Sequence, residues 1–449
     1  MGPVPSSLDV IDPCTVQSVH GVLTRGADVM KEQAPQGRDA RSVGQDVRAF
    51  YEGHPYPPPI DDLDKYRLWG DRQKRRAEFH LSWPFRPFEE DLSILVAGCG
   101  TSQAAKHAMR WPAARVMGID FSETSVRCTE ELKRRYQLDN LEVRQLPLER
   151  ARELERNFDQ IVCTGVLHHL PDPDAGLRAL RDLLKPDGAM NIMVYAPYGR
   201  TGVYMLQEFC KRIGIGASDA EILDLISALK ALPSGHPLQN LLREAPDFRN
   251  EAALADALLH PCDRAYSVPQ LFEFLDSGGL RFGRWVRQAP YSPRCGIMAQ
   301  LPQASRLQRL TVEEQYVATE LFRGTMVRHS VIAYRNDSAR SSELISFAGD
   351  AWLNYVPVRM PDTVCVRERL PPGAVAVLIS QSHTCRDIYL PIDAIQMRLL
   401  DAIDGERSIG GIVDKTLAES DEASRLDIAR AFFERLWWHD QAVFYIPQK

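Results

Sequence analysis

The sequence predicts an α/β protein: a mostly parallel sheet covered by helices, interrupted by a helical insertion and followed by a smaller α+β domain. Three observations predict it. From Leu92 to Val194, short apolar runs of β type alternate with helical patterns, as strands buried on both faces do when helices connect them. The first such run ends in a glycine turn and the second ends in an aspartate. The 449 residues exceed what one compact core usually holds, and a polar stretch at 336–343, NDSARSSE, marks a linker.

In chain order, residues 1–45 mix Pro, Gly, Ser and charge without a period and are expected to be poorly ordered. DVRAFYEGHPYPPP, 46–59, passes from a short helical pattern into a stiff proline run. Strands are expected at Ser93–Ala97, Arg115–Ile119, Leu141–Arg144, Gln160–Cys163 and Ala189–Val194. Helical patterns then fill about 199–260 and predict a lid. A helix stopped by Gly278 and Gly279 precedes strands at Arg281–Val286 and Ile297–Gln300, which would close the sheet as a hairpin; a helix at Val312–Phe322 and a strand-like SVIAY complete a domain over 46–335. The second domain, 344–449, reads as strands to Leu390, three helices (Ala394–Ile403, Ile409–Leu417, Leu426–His439) and a final strand QAVFYI. This is a winged-helix pattern.

Composition excludes several classes. No run reaches the eighteen apolar residues of a membrane span. The start, MGPVPSSLDV, lacks the basic and apolar regions of a secretory signal, so a cytoplasmic protein is expected. Nine cysteines without a C-x-x-C pair predict reduced thiols rather than disulfides or a zinc site. A net charge of −6 disfavours nucleic acid. From 394 to 449, seven Lys and Arg against ten Asp and Glu give −3, which opposes a DNA-binding winged helix.

The chemistry sits at the first glycine turn. Ile94-Leu95-Val96-Ala97-Gly98-Cys99-Gly100-Thr101-Ser102 is a buried strand running into a turn whose glycines let the backbone approach a ligand. Asp120 closes the next strand, where a carboxylate can accept hydrogen bonds from both ribose hydroxyls. Gln103 replaces the third glycine of the dinucleotide motif G-x-G-x-x-G, so a nicotinamide cofactor is poorly served.

VAGCGTS, GIDFS, NFDQIVCTGVLHHLPDP and KPDGAMNIMVY, in that order, resemble the motifs of class I, Rossmann-type S-adenosylmethionine-dependent methyltransferases. The resemblance implies a seven-stranded sheet and S-adenosyl-L-methionine as cofactor. It implies cofactor contacts from Ala97, Gly98, Cys99, Gly100, Thr101, Asp120 and Phe121, from Thr164 and Gly165 after strand four, and from Gln145 and Leu146 at the adenine. Gln145-Leu146-Pro147 stands where many relatives carry an acid, so adenine recognition would rest on backbone groups, the Gln145 side chain and packing by Leu146. FYEGHPYPPP and DRAYSVPQLFEFLDSGGLRFGRW also resemble flanks of such enzymes.

His168 and His169 follow strand four at the carboxyl edge of the sheet and are the candidate general bases, since imidazole titrates at about 6.5. Tyr51, His54, Tyr56, Tyr195, Tyr198, Arg200, Arg264 and Tyr266 are candidate substrate contacts. No carboxylate triplet with histidine follows strand four, so no metal is expected, and Thr164-Gly165-Val166 replaces the D/N-P-P-Y/F of DNA amine methylation. The acceptor would be an O, N, C or S nucleophile of a small metabolite. AIQMRLLDAIDGERSIGGIVDK weakly resembles PqqD-like domains, which implies the alternative of a ribosomally made peptide recruited by the C-terminal domain. A non-catalytic cofactor- or peptide-binding partner is the third reading, and the C-terminal domain could equally serve homodimerisation.

Overall fold

A computed structural model of the chain describes residues 40–67, 71–244, 251–338, 345–418 and 421–448. The lead-in 1–39 and residues 339–343 of the linker lie outside them. Helix α1, Ala40–Gly53, begins earlier than the sequence pattern indicated. It leads through the proline segment to α2, Arg72–Ser82, whose N-cap Asp71 accepts the Gln73 N–H.

Seven strands form the main sheet: β1 Ser93–Ala97, β2 Arg115–Asp120, β3 Leu141–Gln145, β4 Phe158–Thr164, β5 Leu184–Tyr195, β6 Leu280–Trp285 and β7 Arg328–Arg335. Their order is β3-β2-β1-β4-β5-β7-β6. The first five run parallel, while β7 is antiparallel to both β5 and β6. Central β1 is buried from Ile94 to Ala97, which is why it carries no polar side chain there. The chain leaves β1 toward β2 and β3, then returns to β4 on the other side. That reversal opens a crevice at the carboxyl ends of β1 and β4.

The connecting helices are α3 Gln103–Arg110, α4 Glu123–Tyr136 and α5 Pro173–Leu183. Ser122 and Asp172 cap α4 and α5 by accepting the N–H groups of Ser125 and Ala175. The insertion folds as α6 Thr201–Ile213, α7 Asp219–Leu229, α8 Leu238–Glu244 and α9 Glu251–Leu259, packed around Val203, Leu206, Leu225 and Leu254. Then come α10 Val268–Ser277 and α11 Val312–Arg323.

One expected strand is a short 3-10 helix. Gly296–Gln300 replaces the strand at Ile297–Gln300. Gly296 takes φ +59°, and of its successors only Met298 is buried while Ile297 stays 46% exposed, so no alternating face exists to enter a sheet. The partner that closes the sheet is β7, which inserts between β5 and β6.

The C-terminal module contains β8 Val356–Arg359, β9 Thr363–Val366, β10 Ala376–Ser380, β11 Leu390–Ile392, α12 Ala394–Asp401, α13 Ile409–Thr416, α14 Glu422–Trp438 and β12 Ala442–Tyr445. β12 pairs with β8, and β9, β10 and β11 form a separate sheet. The single strand after α14 thus pairs backward across the module rather than forming a wing hairpin. Its core is continuous with the main domain: Trp352, Phe432 and Leu436 belong to one apolar cluster with Phe79, Trp83, Ile94 and Trp111. Polar links reinforce this contact. Asp440 accepts the Ala289 N–H at 2.8 Å and pairs with buried Arg284 at 3.5 Å, and Gln288 donates to the Trp437 carbonyl at 2.7 Å.

Candidate active site

The carboxyl ends of β1, β4, β5 and β6 and the amino end of antiparallel β7 floor one cavity of about 1720 Å³. That exceeds the roughly 300–1,000 Å³ of a single small-molecule pocket and leaves room for two molecules side by side.

At one end, Gly98 and Gly100 take φ +66° and +53°. A Cβ on Gly98 would meet Val166 Cγ2 at 2.3 Å, and one on Gly100 would meet Pro57 Cδ at 2.9 Å. The turn is therefore pressed between the loop after β4 and the proline segment, which explains why both positions need glycine. Asp120 accepts the Gly100 N–H through Oδ2 at 2.8 Å and the Ser122 N–H through Oδ1 at 3.0 Å. Burial raises its carboxyl from the ordinary 3.8 to about 6, against the lowering effect of those N–H groups. The Phe121 N–H bonds the carboxylate as well, and the residue lines the cavity, so its remaining acceptor capacity suits a ribose hydroxyl pair. Phe121, Gln145, Leu146, Thr164 and Gly165 complete this wall. The Leu146 N–H is spent on the Asp120 carbonyl and the Gln145 amide donates to the Phe121 carbonyl, which leaves the Gln145 carbonyl oxygen and the Leu146 side chain for an aromatic base. The open glycine turn, the lone pairs of Asp120 and this apolar wall fit S-adenosyl-L-methionine.

Ala97, Cys99 and Thr101 are corrected from contacts to supports: all three are fully buried and none lines the cavity. Cys99 lies under the turn, and the Thr101 hydroxyl ties it to the Pro57 carbonyl at 2.8 Å.

Beside this wall is a buried polar cluster that the sequence did not announce. Asp256, on α9, accepts the Tyr51 hydroxyl at 2.9 Å and the Tyr195 hydroxyl at 3.3 Å. Arg200 stacks over the Tyr195 ring at 3.6 Å and pairs with Asp263 at 3.2 Å. His169 lines the cavity, and its Nδ1 lies 2.8 Å from the Cys262 carbonyl. A carbonyl only accepts, so Nδ1 carries the proton and Nε2 keeps a lone pair with no protein partner. His260 has the opposite tautomer: its Nδ1 accepts the Cys262 N–H at 3.0 Å, so its proton sits on Nε2.

Histidine and carboxylate donors here approach metal-ligand spacing, as His168, His169 and Asp263, and as His169, Asp256 and His260, each set within 4.8 Å. The expectation that no such cluster exists is thus corrected: α9 and the loop after it deliver the carboxylates from nearly a hundred residues away. The donor chemistry suits proton handling better than a cation. His260 presents an N–H, the His169 Nδ1 is spent on a carbonyl, and Asp263 is already neutralised by Arg200.

His168 is corrected as a base. It is fully buried behind His169, tilted against Tyr195 with ring centroids 4.0 Å apart, and does not line the cavity. Burial, then the neighbouring His169 and Arg200, holds its pKa well below the ordinary value. Tyr51, Tyr56, Tyr195 and Arg200 reach the wall as expected, whereas His54, Tyr198, Arg264 and Tyr266 do not. His54 bonds the Ala217 carbonyl at 2.7 Å, Arg264 donates to the Pro171 carbonyl at 2.9 Å, and Tyr266 packs on Phe274. Asp256 was missed, although a single acid inside the apolar run ALADALL was a visible signal.

Comparison with known proteins bears on the domain that holds this site. Residues 95–190 match a family model described as a methyltransferase domain. The chain is 32% identical over 251 residues to an uncharacterized protein of Synechococcus sp., covering 54% of this chain and 60% of that one. It is 33% identical over 96 residues to a ubiquinone biosynthesis O-methyltransferase of Acinetobacter baylyi, covering 21% and 40%. The matches therefore span less than two thirds of these curated relatives. The structure of PKMT2 from Rickettsia typhi in complex with AdoHcy superposes with a TM-score of 0.61 at 17% identity, covering 87% of this chain and 77% of that one, and so shares the fold. The chain carries a class I, Rossmann-type methyltransferase domain.

Proposed function

We propose that the chain transfers a methyl group from S-adenosyl-L-methionine to an O–H or N–H acceptor, with His169 as the base. The observation that carries this reading is the unpartnered Nε2 of His169, buried within the residue layer of the cavity wall that also holds Gly98 and Asp120. The cofactor, when bound, would supply the electrophilic methyl group and, as a sulfonium leaving group, would retain the electrons of the S–C bond. Gly98, Gly100 and Asp120 would hold it, with Phe121 and Leu146 against its adenine.

The chain's own work is positioning and proton removal. His169 accepts the acceptor's proton at Nε2 while the acceptor's lone pair forms the new bond to the methyl carbon. The resulting imidazolium is offset by Asp256, whose carboxylate lies within 4.8 Å of a His169 ring nitrogen. Tyr51 and Tyr195 orient Asp256, and the cavity confines the acceptor, which at the ideal limit is worth about 7–11 kcal/mol.

Calorimetric titration with S-adenosylmethionine, S-adenosylhomocysteine and NAD tests the cofactor step. Binding of the first two and not the third is expected; binding of NAD alone would refute the reading. Transfer of label from methyl-labelled cofactor to an acceptor in a metabolite extract, abolished in His169→Asn, tests the second step.

A further inference from the structure

The cavity continues past the acceptor position. Paired residues of neighbouring strands share a face, so Met193 and Tyr195 of β5 sit beside Ser330 and Arg328 of β7, and all four line the wall. Beyond them come Val286 and Arg287 at the end of β6, then the loop 382–385 after β10 of the C-terminal module. That module therefore supplies part of the wall of the cavity that holds Gly98.

The two ends differ in charge. The proximal wall carries Asp120, Glu149 and Asp256 among its arginines. The distal wall carries Arg287, Arg328 and His383 with the hydroxyls of Ser330, Ser382 and Thr384, and no Asp or Glu lines it. Arg287 is bound to Asp362 and to the Ser382 hydroxyl. Asp387, near the loop, is occupied by Arg323 at 3.0 Å. Arg328 is exposed and lines the cavity, and its side chain makes no hydrogen bond or ion pair among the described residues. Both ring nitrogens of His383 are buried without a partner. Apolar Val286, Pro290, Tyr291 and Met326 fill the wall between.

We propose, resting on the methyltransferase reading, that this distal lobe seats the anionic group, carboxylate or phosphate, of an elongated low-molecular-weight acceptor. Arg328 carries the recognition, assisted by the hydroxyls of Ser330 and Thr384. Strands lie about 4.8 Å apart, so Arg328 on β7 stands one strand step, and the end of β6 two steps, beyond Tyr195. A guanidinium with no protein acid is the group such an anion pairs with. The C-terminal module then acts in acceptor selection, through the Ser382–Cys385 loop.

Thermal unfolding of the full chain tests this with inorganic phosphate and with acetate, each against chloride at equal ionic strength. A rise in Tm that saturates with one of the two anions is expected, since a ligand of the folded state alone stabilises it. Which anion gives the rise identifies the headgroup. Half-saturation should move by about tenfold or more in Arg328→Gln and Arg328→Glu, and be largely kept in Arg328→Lys. No saturable rise in the wild-type chain, or equal rises in wild type and both charge-removing variants, overturns the proposal. S-adenosylhomocysteine titrated into the wild-type chain is a separate arm: a missing shift there sinks the methyltransferase reading and leaves the anion result to be read alone.

Discussion

The Nδ1 atom of His169 donates to the carbonyl of Cys262 across 2.8 Å, and this one bond fixes which nitrogen of the ring can act as a base. His169→Asn should lower kcat by about 10²–10⁴-fold, the usual worth of a positioned base. Cofactor affinity should not change. A kcat within a few-fold of wild type would remove His169 from the mechanism.

The Asp256 carboxylate is held by two tyrosine hydroxyls. Asp256→Ala leaves two buried hydroxyls without an acceptor, at about 1–3 kcal/mol. Tyr51→Phe removes one donor from a buried carboxylate whose pKa burial already raises. Because both changes act on one contact, their effects on unfolding free energy should be non-additive by about 0.5–3 kcal/mol. Strict additivity in a denaturant double-mutant cycle would show that the contact is not made in solution.

Cofactor affinity should depend on pH through Asp120. Its carboxyl is raised to about 6, and the protonated form offers fewer acceptors to ribose. Affinity should therefore be constant above about 6 and weaken by up to about tenfold per unit below it. In the chain without ligand the sign is opposite. Raising the folded pKa above the unfolded one gives stability that is present below about 4 and lost as pH climbs to about 6. Asp120→Asn should bind weakly with a flat profile; an unchanged pH dependence in that variant would assign the titration elsewhere.

Gly98→Ala should damage the glycine turn itself. Left-handed backbone costs a non-glycine residue about 1–2 kcal/mol, and the new methyl would sit 2.3 Å from Val166. Pairing it with Val166→Ala should recover part of the lost cofactor affinity. No recovery would locate the penalty in the ligand's own space.

The C-terminal module should not be separable. Asp440→Ala leaves Arg284, whose pKa burial pushes down to about 10, without its acid; breaking a buried pair of this kind costs about 3–5 kcal/mol. Deleting 345–449 would expose Phe79 and Trp83, which lie in the shared core, so the remainder should lose cooperative unfolding. A truncated chain with an unaltered melting transition would restore two independent domains.

The sequence by itself determined the sheet's first five strands, the glycine turn and Asp120, because each is encoded by neighbours in the chain: apolar runs long enough for a strand, and small residues where the backbone turns at positive φ. It also placed His169 at the right edge. It misassigned Ile297–Gln300 because periodicity over so few residues does not separate a strand from a short helix. Only the tertiary structure decided that His169 and not His168 meets the cavity, since the two rings pack one behind the other with centroids 4.1 Å apart and only the outer one reaches the wall. It alone joined Tyr51, Tyr195 and Asp256 across some two hundred residues of chain, and brought Ser382–Cys385 to the wall beside Arg328. Such contacts arise from packing of whole elements, and no local pattern in the sequence encodes them.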